Sequence, residues 1–305
     1  DVILESYEVD GLYTLTVTIG DTVQTFEGPV SSMGRRQIGQ ALLRYLREYQ
    51  GLPAEAPWGT MVGVRPTKLL HKYIDTYGSV HAATRHIRDE FSVSMEKLAT
   101  LGSIGAYQRP FLADTDHKKV SFYCGIPFCD TRCVYCSFPY GLYQDYDGKR
   151  QFLTALGRDI EDMKSIVESY GLTVDTLYMG GGTTTVLGDD DFHKVLKQLS
   201  ILVPEGHEFT VEAGRPDSVN SVKLRSMLDL GVNRISINPQ TMQDDILRRI
   251  GRGHSARDIE ELLQYVKANT SLAVNMDFIA GLPHQTMQNM VENIDYVCQN
   301  LPENV

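Results

Sequence analysis

From Val120 onward, strand-like and helix-like runs alternate without a break, and this constrains the fold more than any other feature. Candidate strands cover 120–124, 176–179, 208–212, 234–238 and 274–279. Candidate helices cover 149–170, 190–202, 218–230 and 255–268, with another from Thr286 onward. Strict alternation of this kind builds a parallel sheet with right-handed crossovers, as an open sheet or a barrel. Local chemistry supports the boundaries. Ser255-Ala256-Arg257-Asp258 has capping-box form, and Gly231 sits where a helix takes a left-handed terminal residue. Five strands and a fifth helix end the chain, so a partial barrel without its closing strand is expected, cut from a longer protein.

The first stretch follows another rule. Tyr13, Leu15, Val17 and Ile19 alternate with threonines, and Asp10-Gly11 and Gly20-Asp21 are turn dipeptides, which predicts a three-stranded meander over about 3–27. A helix carrying Ala41, Leu42, Tyr45 and Leu46 follows, ended by Gly51 and Pro53. Two or three more helices are expected over about 66–108. The polar run at Asp114-Thr115-Asp116 marks a boundary, giving an accessory α+β domain over 1–115 and a core domain over 116–305. A chain of 305 residues suits two domains.

Composition narrows the partners. With 29 Lys+Arg against 39 Asp+Glu, net −10, the chain lacks the broad positive field of a sequence-independent nucleic-acid binder. No run of about 18 apolar residues is present, and the first residues show no basic-then-apolar order, so neither a membrane span nor a secretory leader is expected. Of 5 cysteines, four fall between Cys124 and Cys136, which does not resemble a disulfide framework and points to a reducing cytoplasmic setting.

Cys129, Cys133 and Cys136 have the spacing CxxxCxxC in a loop leaving the C-terminal end of the first core strand, where parallel folds carry their chemistry. A loop this short wraps one inorganic cluster. Three thiolates on a [4Fe–4S] cluster leave one iron open to the amino and carboxylate groups of a methionine moiety. A zinc knuckle completed by Cys124 or a distant histidine is the alternative. Cys124 itself, on a strand, reads as a small buried hydrophobe, as does Cys298 beside Val297 and Leu301.

This loop, with an aromatic at Tyr135, resembles the signature of the radical S-adenosylmethionine (SAM) superfamily. Gly125-Ile126-Pro127-Phe128-Cys129 ahead of it is similar to the oxygen-independent coproporphyrinogen III dehydrogenases. Gly180-Gly181-Gly182-Thr183, Glu212, Gln240, Arg252 and Asn275-Met276-Asp277 through Gly281-Leu282-Pro283 follow the family order over about 120–300. Trp58-Gly59 and Gly63-Val64-Arg65-Pro66-Thr67-Lys68 resemble the N-terminal extension of the HemZ type. Three departures stand out: Gly125 where many members carry His, Phe138 where some carry a fourth Cys, and Thr184 in place of Pro.

The resemblance implies a partial (β/α)6 radical SAM barrel with a small N-terminal α+β domain. It implies a [4Fe–4S] cluster on Cys129, Cys133 and Cys136, and SAM contacts from Tyr123, Tyr135, Gly181, Gly182, Thr183, Glu212, Gln240, Arg252 and Asp277. Gly180 to Gly182 would let backbone amides approach the methionine end, and Glu212 would accept from ribose hydroxyls. Gln240, Arg252 and Asp277 contribute to a second SAM in the family; Arg248, Arg249 and Arg252 alone also fit a solvated helix face. The implied reaction is oxidative decarboxylation of two propionates of coproporphyrinogen III to vinyls. A 5′-deoxyadenosyl radical would abstract the hydrogens, and an external donor such as flavodoxin or ferredoxin would supply electrons. Arg132 and Arg215 are candidates for the substrate carboxylates. Rival readings are a haem chaperone with the same cofactor residues, a tRNA-acting relative, and a zinc-binding interaction module.

Overall fold

The computed structural model describes residues 2–113, 116–138 and 141–305. It divides into two compact units, Asp1–Thr115 and Asp116–Val305. Asp114 and Thr115, on which the expected boundary falls, lie outside the described residues.

In the first unit β1 (Val2–Val9), β2 (Leu12–Ile19) and β3 (Thr22–Pro29) form an antiparallel meander in that order. Asp10 and Gly11 both take positive φ, +51° and +77°, the backbone of a two-residue turn whose twist matches the flanking strands. Helix α1 (Ser32–Tyr49) starts where the Ser31 hydroxyl accepts from the Gly34 amide at 3.0 Å. Three further helices follow, α2 (Pro66–Tyr77), α3 (Val80–Phe91) and α4 (Met95–Ala113). They close over Leu70, Ile74, Ala83, Ile87, Leu98 and Leu101.

The second unit runs β4 (Lys119–Ile126), β5 (Phe128–Cys129), β6 (Gly141–Leu142), α5 (Lys149–Tyr170), β7 (Thr173–Gly181), α6 (Asp189–Ser200) and β8 (Glu208–Glu212). It continues with α7 (Ser221–Asp229), β9 (Arg234–Gln240), α8 (Asp244–Arg249), α9 (Ala256–Asn269), β10 (Ala273–Phe278) and α10 (Met287–Asn300). Five strands make one parallel sheet in the order β10-β9-β8-β7-β4. The expected capping box at Ser255 is present, and Gly231 takes φ +82°. Neighbouring strands therefore follow chain order, and all strand C-termini gather at one end.

The two faces of this sheet differ in chemistry. Leu177, Met179, Phe209, Val211, Ile235, Ile237, Val274 and Met276 point toward the helices, each at 1% exposure or less. Each such burial contributes about 2 kcal/mol of transfer free energy. The alternate residues Tyr178, Thr210, Glu212, Ser236, Asn238, Asn275 and Asp277 are polar or hydroxylated. Parallel sheets are usually apolar on both faces. A polar second face is a lining for polar contents.

After α10 the chain returns to the free edge of β10. Asn304 pairs with Asn275 in parallel, through Met276 N to Asn304 O at 3.0 Å and Asn304 N to Val274 O at 3.2 Å. Cys298 departs from expectation: it is exposed. Helix α10 turns Asn293 inward, at 1% exposure, while Ile294 and Leu301 are 55% and 72% exposed. The Asn293 carboxamide explains the orientation, since its Oδ1 accepts from the Met242 amide at 2.9 Å.

Candidate functional site

The loop after β4 is folded back on itself by a short parallel ladder. Gly141 N donates to Pro127 O at 3.0 Å and Tyr143 N to Cys129 O at 3.0 Å, so β5 and β6 clamp the base of the cysteine loop. Its far side is tied to the α8–α9 link: Thr131 Oγ1 donates to Gly251 O at 2.8 Å and Val134 N to Ile250 O at 3.1 Å. Gly251, at φ +83°, permits this approach, because a Cβ there would stand 2.6 Å from Arg132 O.

The glycine run at the end of β7 closes from the other side. Gly182 N donates to Ile126 O at 2.9 Å and Thr183 N to Phe128 O at 2.7 Å. A Cβ on Gly182 would clash with Phe128 O and lie 2.7 Å from Cys129 Sγ; one on Gly180 would lie 2.7 Å from Glu212 Oε2. Thr184, standing where the resembled pattern has Pro, uses its hydroxyl to donate to Glu212 O at 2.7 Å.

These elements enclose a cavity of about 190 Å³. Cys129, Cys133 and Cys136 line it together with Tyr135, Gly181, Gly182, Thr183, Glu212, Gln240, Arg252 and Asp277. Eleven of the twelve residues singled out from the sequence thus share one wall-to-wall space. Tyr123 does not line it; its ring stacks on Tyr178 with centroids 5.9 Å apart, and the residue is 59% exposed. Cys124 points the opposite way, into the helix-side core, and burial pushes its thiol up to about 11. No histidine lines the cavity among the described residues, and no three His, Cys, Asp or Glu side chains converge there tightly enough to enclose a single ion.

Thr131, Gly214, Arg215 and Asn238 also line it. Asn238 Nδ2 donates to Glu212 Oε1 at 3.0 Å and fixes that carboxylate. The alternation within 234–240 was the available signal for Asn238, as it falls on the polar face with Ser236.

Electrostatics divide the cavity in two. At one end burial, then the charge of Asp277, raises the Glu212 carboxyl, against the Gly181 amide, Asn238 and Arg252. Arg252, 8% exposed, donates to Gly214 O at 3.0 Å, Asn238 O at 2.7 Å and Tyr135 Oη at 3.0 Å. Arg248 and Arg249 are solvent-exposed, so the three arginines do not share one face. At the other end burial raises the Cys129 thiol, opposed by a Thr183 hydrogen bond and the charge of Arg215. Gln240 adopts φ +68°, a left-handed backbone on a non-glycine residue that sits at the cavity wall.

Residues 123–297 match the profile of the Radical SAM superfamily. The chain is 30% identical over 277 residues to the oxygen-independent coproporphyrinogen-III oxidase-like protein HemZ of Bacillus subtilis, covering 89% of this chain and 55% of that protein. It is 32% identical over 178 residues to the heme chaperone HemW of the same bacterium, covering 57% and 46%. The coproporphyrinogen III oxidase HemN of Escherichia coli, a radical SAM enzyme, superposes with a TM-score of 0.54 at 25% identity, over 60% of this chain and 42% of that one. The chain spans about half the length of the curated relatives it matches. A profile match that begins on the first strand of the parallel sheet and ends within α10, taking in every wall of the thiol-lined cavity, settles the assignment: the chain belongs to the radical SAM superfamily.

Proposed function

We propose that this chain is the radical-generating part of an oxygen-independent coproporphyrinogen III dehydrogenase, which oxidatively decarboxylates two propionates to vinyls and gives protoporphyrinogen IX. The observation that carries this reading is the single cavity shared by three thiols and the strand-end polar set.

The residues fit the cofactors. Three thiols line the cavity with no histidine beside them among the described residues, and the Gly182 cradle leaves no room for a side chain beside Cys129 Sγ. Cys129, Cys133 and Cys136 would hold the [4Fe–4S] cluster. The Gly181 and Gly182 backbone and Thr183 would receive the methionine end of SAM. Glu212, held by Asn238, would accept from the ribose; Gln240 and Asp277 would complete the nucleoside contacts, and Arg252 would balance the negative charge of Glu212 and Asp277. When bound, this pair supplies one-electron reductive cleavage of SAM and a carbon-centred radical that abstracts hydrogen. Tyr123 and Tyr178, stacked on the polar face of the sheet below, would form an aromatic floor for the macrocycle.

The Asn304 rung on β10 supports a partial (β/α)6 barrel, with 304 as the start of a sixth strand. Residues 1–115 would serve as an accessory domain in a cytoplasmic protein fed by flavodoxin or ferredoxin. The likeness to HemW supports the second reading, a haem chaperone that keeps the same cofactor residues. Anaerobic incubation of the reduced protein with SAM and coproporphyrinogen III separates the two. A dehydrogenase yields a monovinyl intermediate and then protoporphyrinogen IX, with one 5′-deoxyadenosine per CO₂. Tight haem binding without decarboxylation would favour the chaperone.

A further inference from the structure

Two arginines are buried against the cavity, and they are used differently. Arg252 spends both of its terminal nitrogens on Gly214, Asn238 and Tyr135 and leaves only its Nε without a partner. Arg215, 3% exposed, makes no hydrogen bond through any of its three nitrogens. Its Nε stands 3.6 Å from Asp217 Oδ1, outside hydrogen-bonding range. Asp217 is itself backed by His254, whose Nδ1 lies 3.6 Å away and whose side chain is fully buried. Buried guanidinium donors are costly to leave unpaired, so an acceptor belongs in front of them.

The position of Arg215 says which acceptor. Arg215 lines the cavity together with Cys129, Cys133 and Cys136, and its charge opposes the burial that raises the Cys129 thiol, whereas at the nucleoside end Arg252 plays that part for Glu212. Substrate carboxylates, the role expected for Arg215 from the sequence, would have to thread past the loop to meet a side chain this deeply buried.

We infer that Arg215 is a positioning residue for the cysteine-bound cluster, placing a fixed positive charge and N–H donors at its Cys129 corner, with Asp217 as the counter-charge that holds the guanidinium in place. This rests on the proposed cluster site. Reduction adds an electron to an already anionic centre, and a buried cation beside it favours the reduced state, so Arg215 raises the reduction potential.

The test is a redox titration of the anaerobically reconstituted chain, followed by electron paramagnetic resonance without SAM, alongside iron content and SAM affinity. Arg215→Gln should lower the reduced-to-oxidised ratio at a fixed poise by about tenfold, equivalent to about 59 mV for a one-electron couple. Arg215→Lys should fall between that variant and the wild type. Asp217→Asn should shift the potential the opposite way, and it reports even if Arg215→Gln fails to fold. An unchanged potential in Arg215→Lys and Asp217→Asn overturns the inference. So does an unchanged potential in Arg215→Gln with weakened SAM binding, which would assign Arg215 to the SAM carboxylate. A wild-type chain that takes up no cluster overturns the cluster site and the role of Arg215 with it, whereas a loaded chain with unmoved potentials overturns Arg215 alone.

Discussion

The Arg252 guanidinium donates to the Tyr135 hydroxyl at 3.0 Å, across 117 residues of chain, and so ties the segment after α8 to the cysteine loop. The same guanidinium holds Gly214 O and Asn238 O, the turns that follow β8 and lie within β9. Arg252→Ala therefore removes a charged donor from two buried carbonyls and should cost about 3 kcal/mol in chemical denaturation. Tyr135→Phe removes one bond and should cost about 1 kcal/mol. A double variant less destabilised than the sum of the singles is the coupling expected of a direct contact.

Gly182→Ala tests the cradle. The added methyl meets Phe128 O and Cys129 Sγ, a backbone oxygen and a thiol rather than a flexible tip. The variant should keep its far-UV circular dichroism yet lose most of its iron on reconstitution. Retention of wild-type iron would mean the β7 glycines serve the turn alone.

Glu212 carries a stability penalty with a defined pH sign. Its folded carboxyl is raised above the ordinary 4.5, by burial first. The folded state thus binds the proton more tightly than the unfolded state, and the contribution of this group to stability falls as pH rises from the unfolded value through the folded one. Glu212→Gln should therefore raise the thermal midpoint of the cofactor-free protein at neutral pH, with the gain vanishing in acid. The same change should weaken SAM binding by about tenfold, measured calorimetrically with the cluster present. A destabilised variant at neutral pH would contradict the assigned direction.

The five cysteines should separate into three groups. Alanine at 129, 133 or 136 should abolish the broad absorbance near ~400 nm that thiolate-ligated clusters show. Cys124→Ala should keep the absorbance but cost about 1 kcal/mol as a truncation within the core. Cys298→Ala should change neither, because the residue is exposed. Loss of the absorbance in Cys124→Ala would break the ligand assignment.

The parallel sheet was legible because each strand is bounded by a helix of ordinary length, and the cavity because most of its residues fall at strand ends, or in the loop leaving one, that such a fold must gather. Cys298 was misread for a physical reason. Val297 and Leu301 look like an apolar helix face, but the helix is oriented by Asn293, whose carboxamide has backbone and hydroxyl partners to satisfy. Helix α8, six residues long, and the two-residue ladder of β5 with β6 carry too little periodicity to stand out. Composition hid the split between Arg252 and its exposed neighbours Arg248 and Arg249. Only the turn at Gly251, with Arg252 N bonded to Leu247 O at 2.9 Å, sends the third arginine inward.

The central claim is that one cavity holds both a cluster and SAM in reacting contact. Its most direct test is electron paramagnetic resonance of the dithionite-reduced, reconstituted protein before and after SAM is added, with 5′-deoxyadenosine measured in the same sample. The account predicts a reduced [4Fe–4S] signal that changes shape on SAM addition, together with SAM-dependent 5′-deoxyadenosine. A signal indifferent to saturating SAM, with no 5′-deoxyadenosine formed, would contradict it.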